Sequence, residues 1–205
     1  EIPDDAVLNS ISVGNGHTCA LSNDGQVYCW GWNVFGELGN GSAVYSSLLP
    51  VAVSQGALPV GVTITSIDSG GNTICGIGSD NNGYCWGLNS GMLGNNSTTN
   101  SSVPVAVSKG AIPGGVTLKS ITAGNLHACA LGSDDNAYCW GDNYYGPLGN
   151  NSTTSSLVPV AISRGAIPAG VTLKDISAGV DHTCAIGSNG KAYCWGYNNT
   201  GEWGN

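Results

Sequence analysis

Eight cysteines are the residues of this chain whose spacing speaks most directly of chemistry. They fall in four pairs, Cys19 with Cys29, Cys75 with Cys85, Cys129 with Cys139 and Cys184 with Cys194, always ten residues apart. Thiols so arranged can form disulfides, bind a metal or stay buried and free. Zinc knuckles use two to four residues between cysteines; a spacing of ten is wrong for them, and a pair facing across a hairpin chelates poorly. Eight cysteines allow 105 connectivities, and the repetition selects the local one, each cysteine bonded within its own hairpin. Eight buried thiols in a cytosolic protein are the competing reading.

The hairpin can be built residue by residue. Cys19 and Cys29 flank Asn23-Asp24-Gly25. Pairing Ser22 with Gln26 sets Ala20 opposite Tyr28 and Cys19 opposite Cys29. A three-residue loop of this kind needs a left-handed residue in its third place, which Gly25, Asn81, Asp135 and Gly190 hold in the four copies. These residue types tolerate positive φ. Cross-strand neighbours have Cβ atoms about 4.5–5.5 Å apart, within reach of a disulfide.

The elements that must position these pairs repeat with them. First cysteines are 56, 54 and 55 residues apart. Each second cysteine opens Cys-Trp-Gly, giving Trp30, Trp86, Trp140 and Trp195, and a Gly-x-Leu-Gly-Asn segment follows, with Trp203 in the Leu place of the last copy. In the third copy the strand candidates are Val116–Ile121, Ala128–Leu131, Ala137–Trp140 and Val158–Ile162. Short strands between Gly, Pro, Asn and Ser suit four-stranded antiparallel blades, and nothing recurs at the helical period. The expected fold is all-β: four tandem β-propeller-type blades of about 55 residues, with cores near 7–54, 62–108, 116–163 and 171–205, the last incomplete.

Composition narrows the function. Charged residues are 9%, the apolar fraction is 41%, and the net charge is −8. Lys109, Lys119, Arg164, Lys174 and Lys191 are isolated, so the basic stripe of a nucleic-acid binder is missing. No apolar run approaches the roughly 20 residues of a membrane span. No signal peptide is read, and a start at Glu1 without Met fits a processed chain or a fragment. There is no G-x-S-x-G elbow, P-loop or dinucleotide fingerprint. The expectation is a protein that is not an enzyme and has no cofactor.

The repeat resembles the regulator of chromosome condensation family of β-propellers. The resemblance is clearest in Gly16-His17-Thr18-Cys19-Ala20-Leu21, Asp24-Gly25-Gln26-Val27-Tyr28-Cys29-Trp30-Gly31 and Gly36-Glu37-Leu38-Gly39. It covers nearly the whole chain. It implies four-stranded blades around an axis, usually seven to a ring, and the cysteines are most similar to those of secreted bacterial members. The family's Gln before Leu-Gly is replaced by Glu37, Met92, Pro147 and Glu202, and Thr73 stands where other copies have His17, His127 and His182. The acidic charge argues against the chromatin and nucleotide-exchange roles of nuclear members, and no functional site is carried over.

Other candidates have plain structural readings. The histidines occupy one repeat position and should not converge, which points to hydrogen bonding and not to a metal. The recurrent tryptophans should pack between blades, and the less regular Trp32 and Trp203 are candidate contact residues. The acidic turns Ser79–Gly83 and Ser133–Asn136 lack the alternating carboxylates of a calcium loop and read as turn capping. Asn40, Asn95, Asn96, Asn100, Asn150 and Asn151 are N-x-[ST] acceptors in polar connecting loops, so glycans there are expected; Asn198 also matches but holds the recurrent Trp-Gly-x-Asn place.

The expected function is a non-enzymatic extracellular or cell-surface structural repeat protein, forming or decorating a filament or surface assembly. The alternative is a secreted propeller module recognising a protein or glycan through its loops. Glu1-Ile2-Pro3 aligns with Ala166-Ile167-Pro168 and Asn205 with Asn150, so the stretch matching Asn151–Gly165 has no fourth copy. Four sets of three strands but only three connecting strands are expected, and copies of the chain are expected to associate through the incomplete terminal blades.

Overall fold

The computed structural model describes residues 2–42 and 44–204, so the alignments made for Glu1 and Asn205 lie outside the described residues. Among the described residues there are fifteen strands and no helix. The first blade holds β1 (Leu8–Val13), β2 (His17–Ser22), β3 (Val27–Trp32) and β4 (Ser46–Ala52). The second holds β5 (Ile64–Gly70), β6 (Thr73–Gly78), β7 (Gly83–Gly87) and β8 (Ser101–Ala106). The third holds β9 (Leu118–Ala123), β10 (His127–Gly132), β11 (Ala137–Gly141) and β12 (Ser156–Ala161). The fourth has three strands, β13 (Leu173–Ala178), β14 (His182–Gly187) and β15 (Ala192–Gly196). Each sheet is an antiparallel meander in chain order.

The third-blade strands differ from their sequence reading at both ends of the repeat. Val116 stays in the connector because its N–H donates to the Pro113 carbonyl in a turn. The last strand starts two residues earlier, at Ser156 opposite Gly141, and ends one earlier, at Ala161.

The hairpin register is the expected one: Ala20 faces Tyr28 and Cys19 faces Cys29. The Ser22 N–H donates to the Gln26 carbonyl at 2.9 Å. Counting back from that bonded pair by alternation makes Cys19 and Cys29 a non-bonded pair, where antiparallel strands approach most closely. Their Cα atoms are 4.1 Å apart. The other hairpins repeat the arrangement: Cys75 is bonded to Cys85, Cys129 to Cys139 and Cys184 to Cys194. The third loop residues take φ of 82° at Gly25, 60° at Asn81 and Asp135, and 74° at Gly190.

The core lies between blades. Cys19, Leu21, Val27, Cys29 and Leu38 of the first blade pack on Ile64, Ile74, Tyr84 and Trp86 of the second. The same arrangement joins the second blade to the third and the third to the fourth. Strands β1, β5, β9 and β13 stand side by side as the inner row. Polar groups tie this row together. The Asp68 carboxylate accepts from Ser12 Oγ at 3.4 Å, Thr122 Oγ1 at 2.9 Å and the Ala123 N–H at 2.9 Å. Thr122 Oγ1 in turn accepts from the Ala178 N–H of the fourth blade at 3.1 Å.

Candidate functional site

Each blade has two unlike faces. Its leading face looks toward the preceding blade, its trailing face toward the following one. The junction of the third and fourth blades shows what the two faces do. Trp195 on the leading face donates its indole N–H to the Pro147 carbonyl at 2.8 Å. Thr183 Oγ1 donates to the same carbonyl at 2.9 Å. His127 Nε2 lies 2.8 Å from Thr183 Oγ1. Because that hydroxyl's proton goes to Pro147, His127 must be the donor, which fixes its Nε2–H tautomer. The indole donor recurs at the other junctions, from Trp86 to Glu37 O at 3.0 Å and from Trp140 to Met92 O at 2.7 Å. Gly39, Gly94 and Gly149 let the ring approach: a Cβ there would lie 2.7, 2.7 and 2.6 Å from the indole nitrogen.

Burial has a titration signature at these junctions. Desolvation pulls His17 down to about 4 and, with the charge of His182 as a lesser cause, His127 down to about 4. Both His17 nitrogens are buried without a hydrogen-bond partner. Ile74 holds the place of Thr183 at that junction, so no hydroxyl meets the ring. Tyr84 is pushed up to about 12 by burial and by its hydrogen bond to the Asp80 carboxylate.

The same two faces are exposed at the first and fourth blades. On the leading face of the first blade, Leu8 and Ile11 are 44% and 64% exposed, whereas Leu173 and Ile176 in the matching places of the fourth are 1% and 6%. Trp30 is half-buried, and neither its indole N–H nor Thr18 Oγ1 makes a hydrogen bond among the described residues. On the trailing face of the fourth blade, Ile186 and Trp203 are exposed and a Cβ on Gly204 would meet nothing within 4 Å.

A groove of about 900 Å³ lies beside β15, lined by Asn151, Arg164, Ala166, Tyr193, Trp195 and Trp203 among others. In the two preceding blades an outer strand fills this place. The Gly41 and Ala57 N–H groups donate to Ser102 and Pro104 carbonyls, and those of Asn96 and Ala111 donate to Leu157 and Pro159. The equivalent N–H groups of Asn151 and Ala166 have no acceptor among the described residues.

A third surface is the loop end of the blades. Asn33, Asn89 and Asn143 are buried and hold the β3–β4 type loops from inside. Asn143 Nδ2, for example, donates to Ser152 O and Thr154 O, while its Oδ1 accepts from the Leu148 N–H. These loops present Tyr144 and Tyr145 to solvent, and Trp32 is exposed at the end of β3. Tyr145 stacks edge-on against Tyr144 and Tyr197, with centroids 4.8 and 4.9 Å away.

The structure separates the sequence-derived candidates. The cysteines are all oxidised pairs, with no free thiol. Their surroundings differ. Cys194 borders the groove beside β15. Cys85, with its partner Cys75, is wholly buried in the core between the second and third blades, and Cys139, with Cys129, in the core between the third and fourth. Cys85 and Cys139 thus meet apolar side chains and not a ligand surface, so they staple their blades and belong to no binding site. The acidic turn residues cap turns: Asp80 and Asp134 accept from the N–H groups of Asn82 and Asn136. Among the described residues no three His, Cys, Asp or Glu side chains converge as metal ligands do. Asn96, Asn100 and Asn151 are exposed, while Asn40, Asn95 and Asn150 are half-buried. The oxygens of Asn95, Asn100 and Asn150 accept hydrogen bonds from Asn89 and Asn143. Sequence reasoning noted Glu37 only as a departure from the family's Gln and missed its burial: it is fully buried, with Oε2 accepting from the Phe35 N–H. It also missed the organising Asn33, Asn89 and Asn143, although the recurrent Trp-Gly-x-Asn string was their signal.

Known proteins share this pattern. The regulator of chromosome condensation (RCC1) repeat matches residues 24–77 and 134–186, and a second description of the same repeat matches residues 9–37, 118–146 and 173–202. The ultraviolet-B receptor UVR8 of Arabidopsis thaliana is 31% identical over 95% of this chain, which spans 42% of that protein. The crystal structure of human WBSCR16 superposes with a TM-score of 0.80 at 23% identity, covering 96% of this chain and 49% of that one. The CRINKLY WD40 ectodomain of the Arabidopsis thaliana receptor kinase ACR4 superposes with a TM-score of 0.52 at 24% identity, covering 94% and 51%. The chain thus spans less than half of UVR8 and about half of the two solved structures.

Proposed function

The chain belongs to the RCC1 repeat family, and on that premise we propose that it works outside the cell or at its surface as a non-enzymatic protein-binding module. The observation that carries this reading is the leading face of the first blade. It sets Leu8, Ile11 and Val13 in solvent, at 44%, 64% and 65% exposure. A contiguous exposed apolar face, in the place that is covered at every interior junction, is the mark of a protein contact. Four hairpin disulfides support an oxidising compartment, and an ectodomain of the same fold agrees with that placement. The building or decorating of a surface assembly follows from a module whose end faces bind protein. Glycans would sit on the exposed acceptors Asn96, Asn100 and Asn151.

A photo-crosslinking residue in place of Val13 tests the reading in cells that export the chain. Protein adducts should form there and be absent when the same residue replaces Asn189 in the β14–β15 turn. Equal labelling at the two positions, or none at Val13, overturns the reading. Alkylation of native protein before reduction checks the compartment: mass additions for free thiols would contradict it.

A further inference from the structure

The interior junctions differ in their polar contacts, and the difference identifies what the two exposed faces fit. The first junction sets His17 against Ile74, and the second sets Thr73 against Ala128. Among the interior junctions, the third alone joins a histidine to a threonine, through His127 and Thr183 at 2.8 Å. The exposed trailing face of the fourth blade carries His182, and the exposed leading face of the first carries Thr18. These are the two halves of the same pair.

Most of the remaining groups match in the same way, with Trp203 standing where the third junction buries the smaller Leu148. Glu202 holds the place of Pro147, the carbonyl that accepts from both Trp195 and Thr183. Gly204 holds the place of Gly149, whose missing Cβ makes room for the Trp195 ring. Trp30 holds the place of Trp195, Leu8 that of Leu173 and Ile11 that of Ile176. Ile186, 47% exposed, holds the place of Leu131, which packs at 2% exposure against the fourth blade. The side chains, the carbonyl and the glycine are therefore paired at one junction and present unpaired at the two exposed faces.

The geometry points to a second copy of this chain as the partner, its first blade seated on the fourth blade of its neighbour. Trp30 Nε1 and Thr18 Oγ1 of one copy donate to the Glu202 carbonyl of the other. The Trp30 ring covers Gly204, and His182 Nε2 donates to Thr18. This contact rests on the reading of the leading face as a binding surface and names its occupant. The two faces are unlike, so each pairing leaves one of each free. Association continues until a ring closes or runs on as a filament. A face-to-face dimer cannot make these bonds, because it would oppose Trp30 to Trp30.

Sedimentation velocity on the oxidised 205-residue chain tests the contact. The average mass should rise with concentration. Trp30→Ala on the leading face and Ile186→Asp on the trailing face should each weaken association at least about ten-fold. An equimolar mixture of the two variants should form two-chain species and nothing larger, since each retains one intact face. Ile11→Asp replaces Trp30→Ala if the latter loses the parent's β-sheet spectrum. A parent chain that stays monomeric throughout, or a mixture without the two-chain species, overturns the head-to-tail contact while leaving the Val13 labelling to judge the broader reading. Loss of association in Trp30→Ala but not in Ile186→Asp would show leading faces meeting each other, which also overturns it. So would native protein whose mass is that of a longer polypeptide and whose position-13 crosslinks fall within its own chain.

Discussion

The first and third blades share one sequence pattern under different cover. Both have a disulfide across β-strands two and three, a Cys-Trp-Gly tripeptide and an inner strand with Ile at the same place. In the third, Trp140 is fully buried and Ile121 is 8% exposed; in the first, Trp30 is half-buried and Ile11 is 64% exposed. Blade structure is thus set within the repeat, by its turns and staple. Burial is set by the neighbour. In such an array stability divides into an intrinsic term per repeat and an interface term per junction, and the two blades isolate these terms.

Substituting the equivalent tryptophans should separate them most widely. Trp140→Ala removes a packed indole and its bond to Met92 and should cost about 3–5 kcal/mol. Trp30→Ala, measured at dilutions where the chain is monomeric, should cost less than about 1 kcal/mol. Denaturant midpoints would show the gap, and equal costs would mean that the first blade is covered.

Acid should act on the covered histidines next. His17 and His127 are held neutral by burial, near 4 against an ordinary 6.5. Their folded-state affinity for protons is below that of the unfolded chain. Stability is therefore full above pH 6.5 and falls as pH drops through the window toward 4, by about 3 kcal/mol per histidine at the acid end. The double variant His17→Gln, His127→Gln should flatten the denaturant midpoint across that window.

The disulfides should differ less between blades. Each closes a hairpin with a sequence separation of 10, so chain entropy assigns roughly the same 2–3 kcal/mol to both. Serines replacing Cys19 and Cys29 together, or Cys129 and Cys139 together, should lower the unfolding midpoint by similar amounts.

Two smaller effects sharpen the comparison. Thr183→Val breaks the bonds to His127 and Pro147 and should cost about 1–2 kcal/mol, whereas Thr18→Val in the monomer should cost almost nothing. Smallest is Lys119→Ala, which removes the surface ion pair with Asp135. Exposed on both sides, that pair should change the midpoint by less than about 0.5 kcal/mol.

The hairpin was legible because it is local. Spacing, turn residue and alternation act within a dozen positions, and Cys19 and Cys29 with Gly25 carry all three. The tryptophans' role between blades was also legible from their recurrence. Different fates for Trp30 and Trp140 were not, because identical strings cannot say which copy has a neighbour. The same holds for the cysteines: nothing in the spacing tells Cys85 and Cys139, enclosed between blades, from Cys194 at the rim of a groove. The burial of Glu37 was not legible because it depends on the fold of the next blade, where Trp86 reaches over to the Glu37 carbonyl. The complementarity of His182 with Thr18 was hidden for a similar reason. It becomes visible once His127 and Thr183 are seen to touch across a junction.

The staples also set how far the chain can be pulled. A peptide extends to at most about 3.3–3.6 Å per residue, yet in each blade the stretch between paired cysteines is short-circuited, with Cα atoms 4.0–4.1 Å apart. Under tension along the backbone every unravelled blade therefore withholds about 30 Å of contour length. A fibre made of these blades would yield in short steps while oxidised and lengthen further when a reductant reached it, so the redox state would govern its extensibility.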